Sequence, residues 1–162
     1  MLRQPIWGWM GRRDAFAMGP GYEPAPGLRS FLSGTPPVLA MVPLACGLDL
    51  LEEAGIAAVR AKSVALTDYA IELADALLAR HGVAVASPRD SGRRGSHVTL
   101  QRTGFRGLVE PLWRRGVLPD YREPDCIRIG LSPLSTSFRE VHRGLAALAE
   151  LVAAASAKAP AR

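Results

Sequence analysis

The chain has 162 residues, of which 48% are hydrophobic and 22% are charged, and its formal net charge at pH 7 is +5. A chain of this length holds one domain, or a small domain with part of another, and can bury a hydrophobic core. No apolar run reaches the roughly 20 residues of a membrane-spanning helix, and no secretory signal is visible. We therefore expect a globular, cytoplasmic protein.

Arginine carries nearly all of the basic charge, since the only lysines are Lys62 and Lys158. The arginines are dispersed among acidic residues and lack interleaved aromatic residues, which argues against nucleic-acid binding; a basic nucleic-acid-binding module is kept as an alternative. Cys46 and Cys126 lie in apolar patterns that indicate two buried thiols. The histidines are too scattered to form a metal site, so we expect no metal.

Residues 1–34 are rich in glycine, proline and aromatic residues, which predicts an ordered but irregular segment. Such segments carry functional sites more often than regular elements do. Because this one begins near Met1, we expect the chain to be the later part of a larger protein. A helix follows, with Thr35 as its candidate N-cap, and Pro43 inside the helix should kink it or remove a hydrogen bond.

The rest of the chain alternates between helical and extended patterns. In order, the pattern predicts a helix over 56–80 ended by Gly82, strands over 83–87 and 96–101, a helix over 105–115 containing Pro111, a connection over 117–122, a strand over 126–131 and a helix over 137–157. We expect the first two strands to be antiparallel neighbours. The fold class is therefore α+β, with a mixed or antiparallel sheet covered by helices.

This order predicts four parts. Residues 1–54 are the loop-rich end of a larger domain together with a first helix, and residues 55–82 are a linking helix. Residues 83–158 form a small α+β domain, and residues 159–162 are a tail.

Three side chains are candidates for ligand binding. The Thr35 hydroxyl at a helix N-terminus could hold a phosphate, or it could only cap the helix. The indole N–H of Trp9 could donate to an anion, or the ring could simply pack. Arg128 lies between Ile127 and Ile129, so its side chain faces away from their core side, where it could bind a carboxylate or stay solvated.

No side chain in the chain indicates a catalytic centre on its own. The serines lack a Gly-x-Ser-x-Gly elbow. Asp68, Asp75 and the other helical carboxylates are of a kind that usually faces water.

A series of distinctive motifs includes these same residues: Gly8-Trp-Met-Gly11, Gly21-Tyr-Glu-Pro24, Ser33-Gly-Thr-Pro-Pro-Val38, Arg94-Gly-Ser-His-Val98, Asp120-Tyr-Arg122 and Ile127-Arg-Ile-Gly130. In these motifs the sequence resembles the kynureninase family. They run in order along nearly the whole chain and correspond to the carboxy-terminal part of the family. Kynureninases are fold-type I enzymes that depend on pyridoxal 5′-phosphate and hydrolyse kynurenine to anthranilate and alanine in tryptophan degradation. The resemblance thus implies the end of the large cofactor-binding domain, over residues 1–54, and the small carboxy-terminal α+β domain of such an enzyme.

The resemblance also implies roles for individual residues. Trp9 and Thr35 would bind the cofactor phosphate, reaching it from the neighbouring subunit of a homodimer. Arg128 would bind the α-carboxylate of the substrate, kynurenine or 3-hydroxykynurenine. Met10, at a position that is usually aromatic in the family, would pack beside the substrate ring. Arg12 and Ser135 depart from the histidine and tyrosine that the family usually has at these places.

The resemblance implies no catalytic residue here, because the Schiff-base lysine of the family comes before the matched part. Lys62 lies on a predicted helix and Lys158 near the tail, and neither matches it. We therefore expect a fragment that needs a complementing amino-terminal half. The alternative is a non-catalytic remnant or an accessory subunit that binds a partner chain.

Overall fold

A computed structural model describes residues 4–158, and the predicted tail at 159–162 lies outside the described residues. Contacts divide the chain into two compact units, Met1–Asp49 and Leu50–Arg162. This division does not test the four parts expected from the sequence, which stay a prediction. Within residues 4–158, no helix is long and apolar enough to cross a membrane.

The first unit begins with loops that backbone hydrogen bonds hold together. A short 3-10 turn covers Trp9–Gly11. The chain then doubles back, so that the Arg13 N–H donates to the Glu23 carbonyl and the Ala25 N–H donates to the Gly11 carbonyl, each at 2.8 Å. The segment is therefore ordered and irregular, as the glycine and proline pattern predicts.

Helix α1, Val38–Ala54, follows these loops and continues through Pro43. The proline lacks an N–H and costs about 3 kcal/mol in a helix interior. At the start of the helix, the Met41 N–H donates to the Pro37 carbonyl at 3.1 Å, which makes Pro37 the N-cap residue. The prediction that Thr35 caps the helix is therefore wrong, because Thr35 lies two residues earlier.

The side chains of α1 are exposed although most of them are apolar. None of its residues is buried within the chain. The exposed apolar residues of α1 are Val38, Leu39, Met41, Val42, Leu44, Leu48, Leu50 and Leu51. Cys46 is exposed as well, and Cys126 is only partly buried. The prediction of two buried thiols is therefore wrong, since the apolar pattern around Cys46 belongs to a helix that the chain itself does not cover.

The second unit contains a four-stranded antiparallel sheet in the order β1-β2-β4-β3. The strands are β1 Ala84–Val85, β2 His97–Gln101, β3 Asp120–Arg122 and β4 Cys126–Gly130. The predicted antiparallel pairing of the first two strands is confirmed. The prediction of a connection over 117–122 is wrong at its end, because residues 120–122 pair with β4. Three residues are too few to show the alternation by which a strand is recognised.

Three helices accompany the sheet: α2 Ile56–Leu78, α3 Val109–Trp113 and α4 Phe138–Lys158. Gly82 stops the helical backbone after α2, and its φ of 75° is left-handed, which favours glycine. Pro111 belongs to the first turn of α3, where a missing N–H breaks no intrahelical bond. The longer helix predicted over 105–115 instead starts as a 3-10 turn over Phe105–Leu108.

One face of the sheet packs against α2 and α4. The fully buried residues of this core include Leu66, Leu78, Val98, Leu100, Phe105, Leu112, Ile127, Leu145 and Val152. They come from both helices, from β2 and β4, and from α3 and the turn before it. The residues that alternate with Val98, Leu100 and Ile127 along the strands therefore lie on the opposite face of the sheet.

Candidate functional site

Trp9 lies at the edge of an open cleft in the first unit. Its side chain is 48% exposed, and its ring meets Phe16 edge to face with 5.9 Å between the ring centroids. Trp7 stacks on Tyr22 at a centroid distance of 5.0 Å. The residues that line the cleft include Trp7, Trp9, Tyr22 and Arg12, and its volume is about 500 Å³. The cleft is thus aromatic, with one cation at its wall.

A close approach of two backbone segments brings Trp9 near Thr35. Gly8 is buried, and a Cβ placed on it would lie 2.1 Å from the carbonyl oxygen of Ser33 and 2.2 Å from its Cα. Only glycine fits at such a contact. Trp9 follows Gly8, and Thr35 comes two residues after Ser33. With 3.8 Å between consecutive Cα atoms, the Cα atoms of Trp9 and Thr35 lie within about 15 Å of each other.

Both side chains offer hydrogen-bond donors to a ligand. Trp9 and Thr35 are exposed, and among the described residues neither the Trp9 indole N–H nor the Thr35 hydroxyl has a hydrogen-bond partner. The two prolines after Thr35 have no N–H to contribute. Each of the two side chains can therefore donate one hydrogen bond to an anion. The first unit contains no lysine.

The structure also shows the surroundings of Met10, Arg12 and Ser135, the other residues that the resemblance singles out. Met10 is partly buried in the turn between Trp9 and Gly11. Arg12 donates from Nη1 to the carbonyl of Ala17 at 2.6 Å, which holds its guanidinium beside the cleft. Ser135, in the second unit, lies in a turn in which its N–H donates to the carbonyl of Ser132 at 3.3 Å.

Arg128 lies on the uncovered face of the sheet in the second unit. In the strand register, Thr99 of β2, Arg128 of β4 and Asp120 of β3 form one row across the sheet. Ile127, next to Arg128, is fully buried on the other face. The Arg128 side chain is 38% exposed. Arg128 therefore points away from the core, as the alternation around it predicts.

Sequence reasoning missed the partner of Arg128. The Asp120 Oδ2 atom accepts hydrogen bonds from Nε of Arg122 at 2.9 Å, from Nη2 of Arg122 at 2.7 Å, and from Nη2 of Arg128. These hydrogen bonds, first that of Arg122, lower the pKa of Asp120, while partial desolvation acts in the opposite direction. The Pro124-Asp125 turn signal midway between Asp120 and Arg128 could have indicated a hairpin that places the two opposite each other.

A buried arginine holds the loop before β2 onto α2. The Arg94 side chain is 2% exposed and forms an ion pair with Asp68 of α2. Its Nη1 atom donates to the carbonyls of Pro88 at 2.8 Å and Arg89 at 2.7 Å. Asp68 is still 47% exposed, and Asp75 is 45% exposed and paired with Arg89, so both helical carboxylates face water but each also has an arginine partner. Within residues 4–158, no group of three potential metal ligands lies together.

Comparison with known proteins identifies relatives for nearly the whole chain. The family model described as "Kynureninase C-terminal domain" matches residues 59–148. A kynureninase of Pseudomonas fluorescens is 40% identical over 152 residues, which are 94% of this chain and 36% of that protein. A kynureninase of Burkholderia mallei strain SAVP1 is 37% identical over 159 residues, which are 98% of this chain and 38% of that protein.

A solved structure shares the fold. The apo structure of a cysteine desulfurase from Thermococcus onnurineus NA1 has a TM-score of 0.74 and 19% sequence identity, and the match covers 93% of this chain and 39% of that one. The expected α+β fold class is thereby confirmed. These matches give no support to an accessory subunit or to a nucleic-acid-binding module.

The chain spans little more than a third of the length of the curated relatives it matches, 36% and 38% in the two cases. The resemblance seen in the motifs extends to identities of 37–40% along nearly the whole chain. The family model covers more than half of its residues. The chain therefore belongs to the kynureninase C-terminal domain family.

Proposed function

We propose that this chain serves as the carboxy-terminal part of a kynureninase, a cytoplasmic hydrolase that depends on pyridoxal 5′-phosphate. Its substrate would be kynurenine or 3-hydroxykynurenine, and alanine would be one product. The observation that carries the proposal is the identity of 37–40% to kynureninases over 94–98% of this chain.

Trp9 and Thr35 are proposed to hold the phosphate of the cofactor. Two unpaired donors on adjacent segments fit a phosphate group, which accepts several hydrogen bonds. When bound, the cofactor withdraws electrons from the substrate carbon that carries the amino group and so permits cleavage of a neighbouring bond. Nothing in the first unit fits the Schiff-base end of the cofactor, since its residues include no lysine. The proposed contribution of this unit is therefore to anchor the phosphate.

Arg128 is proposed to bind the α-carboxylate of the substrate. A guanidinium can bind a carboxylate through two parallel hydrogen bonds, which fixes both the position and the orientation of the amino-acid part. Met10 is proposed to pack beside the aromatic ring of the substrate, where a flexible thioether adapts to the ring edge. Together these residues would orient the substrate without taking part in bond cleavage.

A further polypeptide is proposed to cover α1. A helix that is apolar on every side is normally buried, yet α1, which is apolar throughout residues 38–48, has no buried residue in this chain. The relatives are more than twice as long as the matched part. We propose that a segment equivalent to their preceding part packs on α1 and supplies the lysine, and that the complete protein is a homodimer.

Reconstitution tests this proposal. The chain is produced alone and together with the part of the Pseudomonas fluorescens kynureninase that precedes the matched segment, and cofactor binding and kynurenine turnover are measured. We expect turnover only for the assembled protein. Turnover by the chain alone would contradict the need for a partner, and an assembly that binds the cofactor without turnover would favour an accessory role.

Substitutions in the assembled protein test the phosphate site. Thr35→Ala and Trp9→Phe each remove one donor to a charged group, worth about 1.5–3 kcal/mol, and should weaken cofactor binding by about 10- to 150-fold. Thr35→Ser retains the hydroxyl and is the matched control. Unchanged cofactor affinity in both donor-free variants would remove the phosphate role from these residues.

A further inference from the structure

We infer that Asp120 is a positioning residue for Arg128 and holds its guanidinium ready for the α-carboxylate of an amino-acid substrate. The inference rests on the proposed role of Arg128 and concerns the state of that side chain before substrate binds. Asp120 on β3 lies directly opposite Arg128 on β4 in the strand register. Side chains of directly opposed residues share one face of a sheet, here the face that α2 and α4 do not cover.

The contact orients Arg128 without exhausting its donors. Arg128 donates from Nη2 to a single oxygen of Asp120, and among the described residues it makes no other hydrogen bond. A guanidinium carries five N–H donors, so a contact through one of them leaves one edge of the planar group complete. A second carboxylate can therefore bind that edge through two hydrogen bonds while Asp120 stays in place.

The net charge of the cluster formed by Asp120, Arg122 and Arg128 favours the binding of a further anion. Arg122 donates to the same Asp120 oxygen as Arg128, so one carboxylate lies between two guanidinium groups. The three groups together carry a net charge of +1, which attracts a carboxylate. The ion pair of Arg128 and Asp120 is 38% and 45% exposed, and ion pairs this exposed add little to stability. A contribution to folding stability alone therefore does not explain why these three charged groups lie together.

The variant Asp120→Asn, in the assembled enzyme described above, distinguishes two effects of Asp120: the positioning of the Arg128 side chain and the change in local charge. If Asp120 positions Arg128, replacing its carboxylate by a neutral amide weakens the hydrogen bond that orders this long side chain before substrate binds, and the KM for kynurenine rises about three- to tenfold at unchanged kcat. Electrostatics alone predicts the opposite, because the variant raises the local charge and should lower KM. An unchanged or lowered KM would overturn the inference.

A ligand that lacks the α-carboxylate shows whether the rise in KM in Asp120→Asn depends on binding of that carboxylate. The inhibition constant of the amine that corresponds to kynurenine without its α-carboxylate should be the same for the unmodified enzyme and for Asp120→Asn. Equal weakening of both ligands would indicate general damage to the site and would also overturn the inference. Asp120→Glu keeps the charge and should recover part of the lost affinity.

Two further variants provide controls. Glu123→Gln removes the same charge from the same hairpin, but Glu123 pairs with Arg106 and not with Arg128, so KM should not change. Arg128→Gln tests the proposed function itself: if the KM for kynurenine is unchanged, the proposed role of Arg128 fails whatever Asp120 does. A large effect of Arg128→Gln with no effect of Asp120→Asn rejects only the present inference.

The free chain offers a measurement that does not depend on turnover. Pairing with Asp120 slows rotation of the Arg128 guanidinium, so the NMR signals of its Nη protons should be separate at low temperature. They should stay separate in Glu123→Gln and merge in Asp120→Asn, while the thermal unfolding midpoints of all three proteins agree. Signals already merged in the unmodified chain would overturn the inference.

Discussion

The substitution Gly8→Ala should loosen the segment that brings Trp9 and Thr35 together. The added Cβ would lie 2.1 Å from the carbonyl oxygen of Ser33. An ordinary carbon–oxygen contact needs about 3.3 Å, so one of two backbone segments must move by about 1.2 Å. The Ser33 atoms that the added Cβ meets are backbone atoms and cannot rotate away as a side chain could. We therefore expect a loss of local stability of about 1–3 kcal/mol, the usual range for overpacking.

Hydrogen exchange of backbone amides measures this cost locally. The Arg13 N–H donates to the Glu23 carbonyl and the Ala25 N–H donates to the Gly11 carbonyl, and both bonds depend on the same loops. A loss of about 1–3 kcal/mol in local stability should speed their exchange by about 5- to 150-fold. The Leu131 N–H, which is bonded within the second unit, should not change.

Gly34→Ala is the matched control for this prediction. A Cβ on Gly34 would meet nothing within 4 Å, so this variant should exchange like the unmodified chain. If Gly8→Ala leaves the exchange of the Arg13 and Ala25 amides unchanged, the close approach to Ser33 does not exist in solution. If both variants speed exchange equally, the effect comes from the loss of glycine flexibility and not from the contact.

Three more predictions concern the core, a helix cap and α1. Phe105→Ala empties a fully buried position and should cost about 3–5 kcal/mol in chemical denaturation, whereas Leu118→Ala at a 79% exposed position should change stability by no more than about 0.5 kcal/mol. Ser137→Ala removes the hydroxyl bonded to the Glu140 N–H at 3.2 Å and should cost about 1 kcal/mol. Hydrogen bonds from Ser137, first from its backbone N–H, lower the pKa of Glu140. The stability that the Glu140 carboxylate contributes is therefore present at neutral pH and lost as the pH falls through that lowered pKa. Measuring the unfolding midpoint during an acid titration checks this. Leu44→Glu on exposed α1 should leave the stability of the chain unchanged but prevent reconstitution, which size-exclusion chromatography would show; normal assembly would contradict the proposed cover.

Periodicity and turn residues predicted most of the second unit. Apolar spacing indicated α2 and α4, and alternation indicated β2 and β4, because each of these elements buries one face in the core of its own unit. The same alternation placed Arg128 on the uncovered face. Strand β3 escaped prediction because it is short and polar, and Asp120, which depends on the pairing of β3 with β4, escaped with it.

The error at Cys46 has a different origin. Apolar residues indicate that a surface is removed from water, but they do not say which polypeptide removes it. Helix α4 has its apolar residues on one stripe, and that stripe lies in the core of the second unit. Over residues 38–48 helix α1 is apolar on all sides, and the helix has no buried residue, so Cys46 and its neighbours are exposed in this chain. One stripe can be satisfied by a single neighbouring layer, whereas an all-round apolar surface needs cover on every side. The distribution of apolar residues around a helix, more than their number, therefore separates a helix that one layer of its own chain can cover from a helix that such a layer leaves exposed.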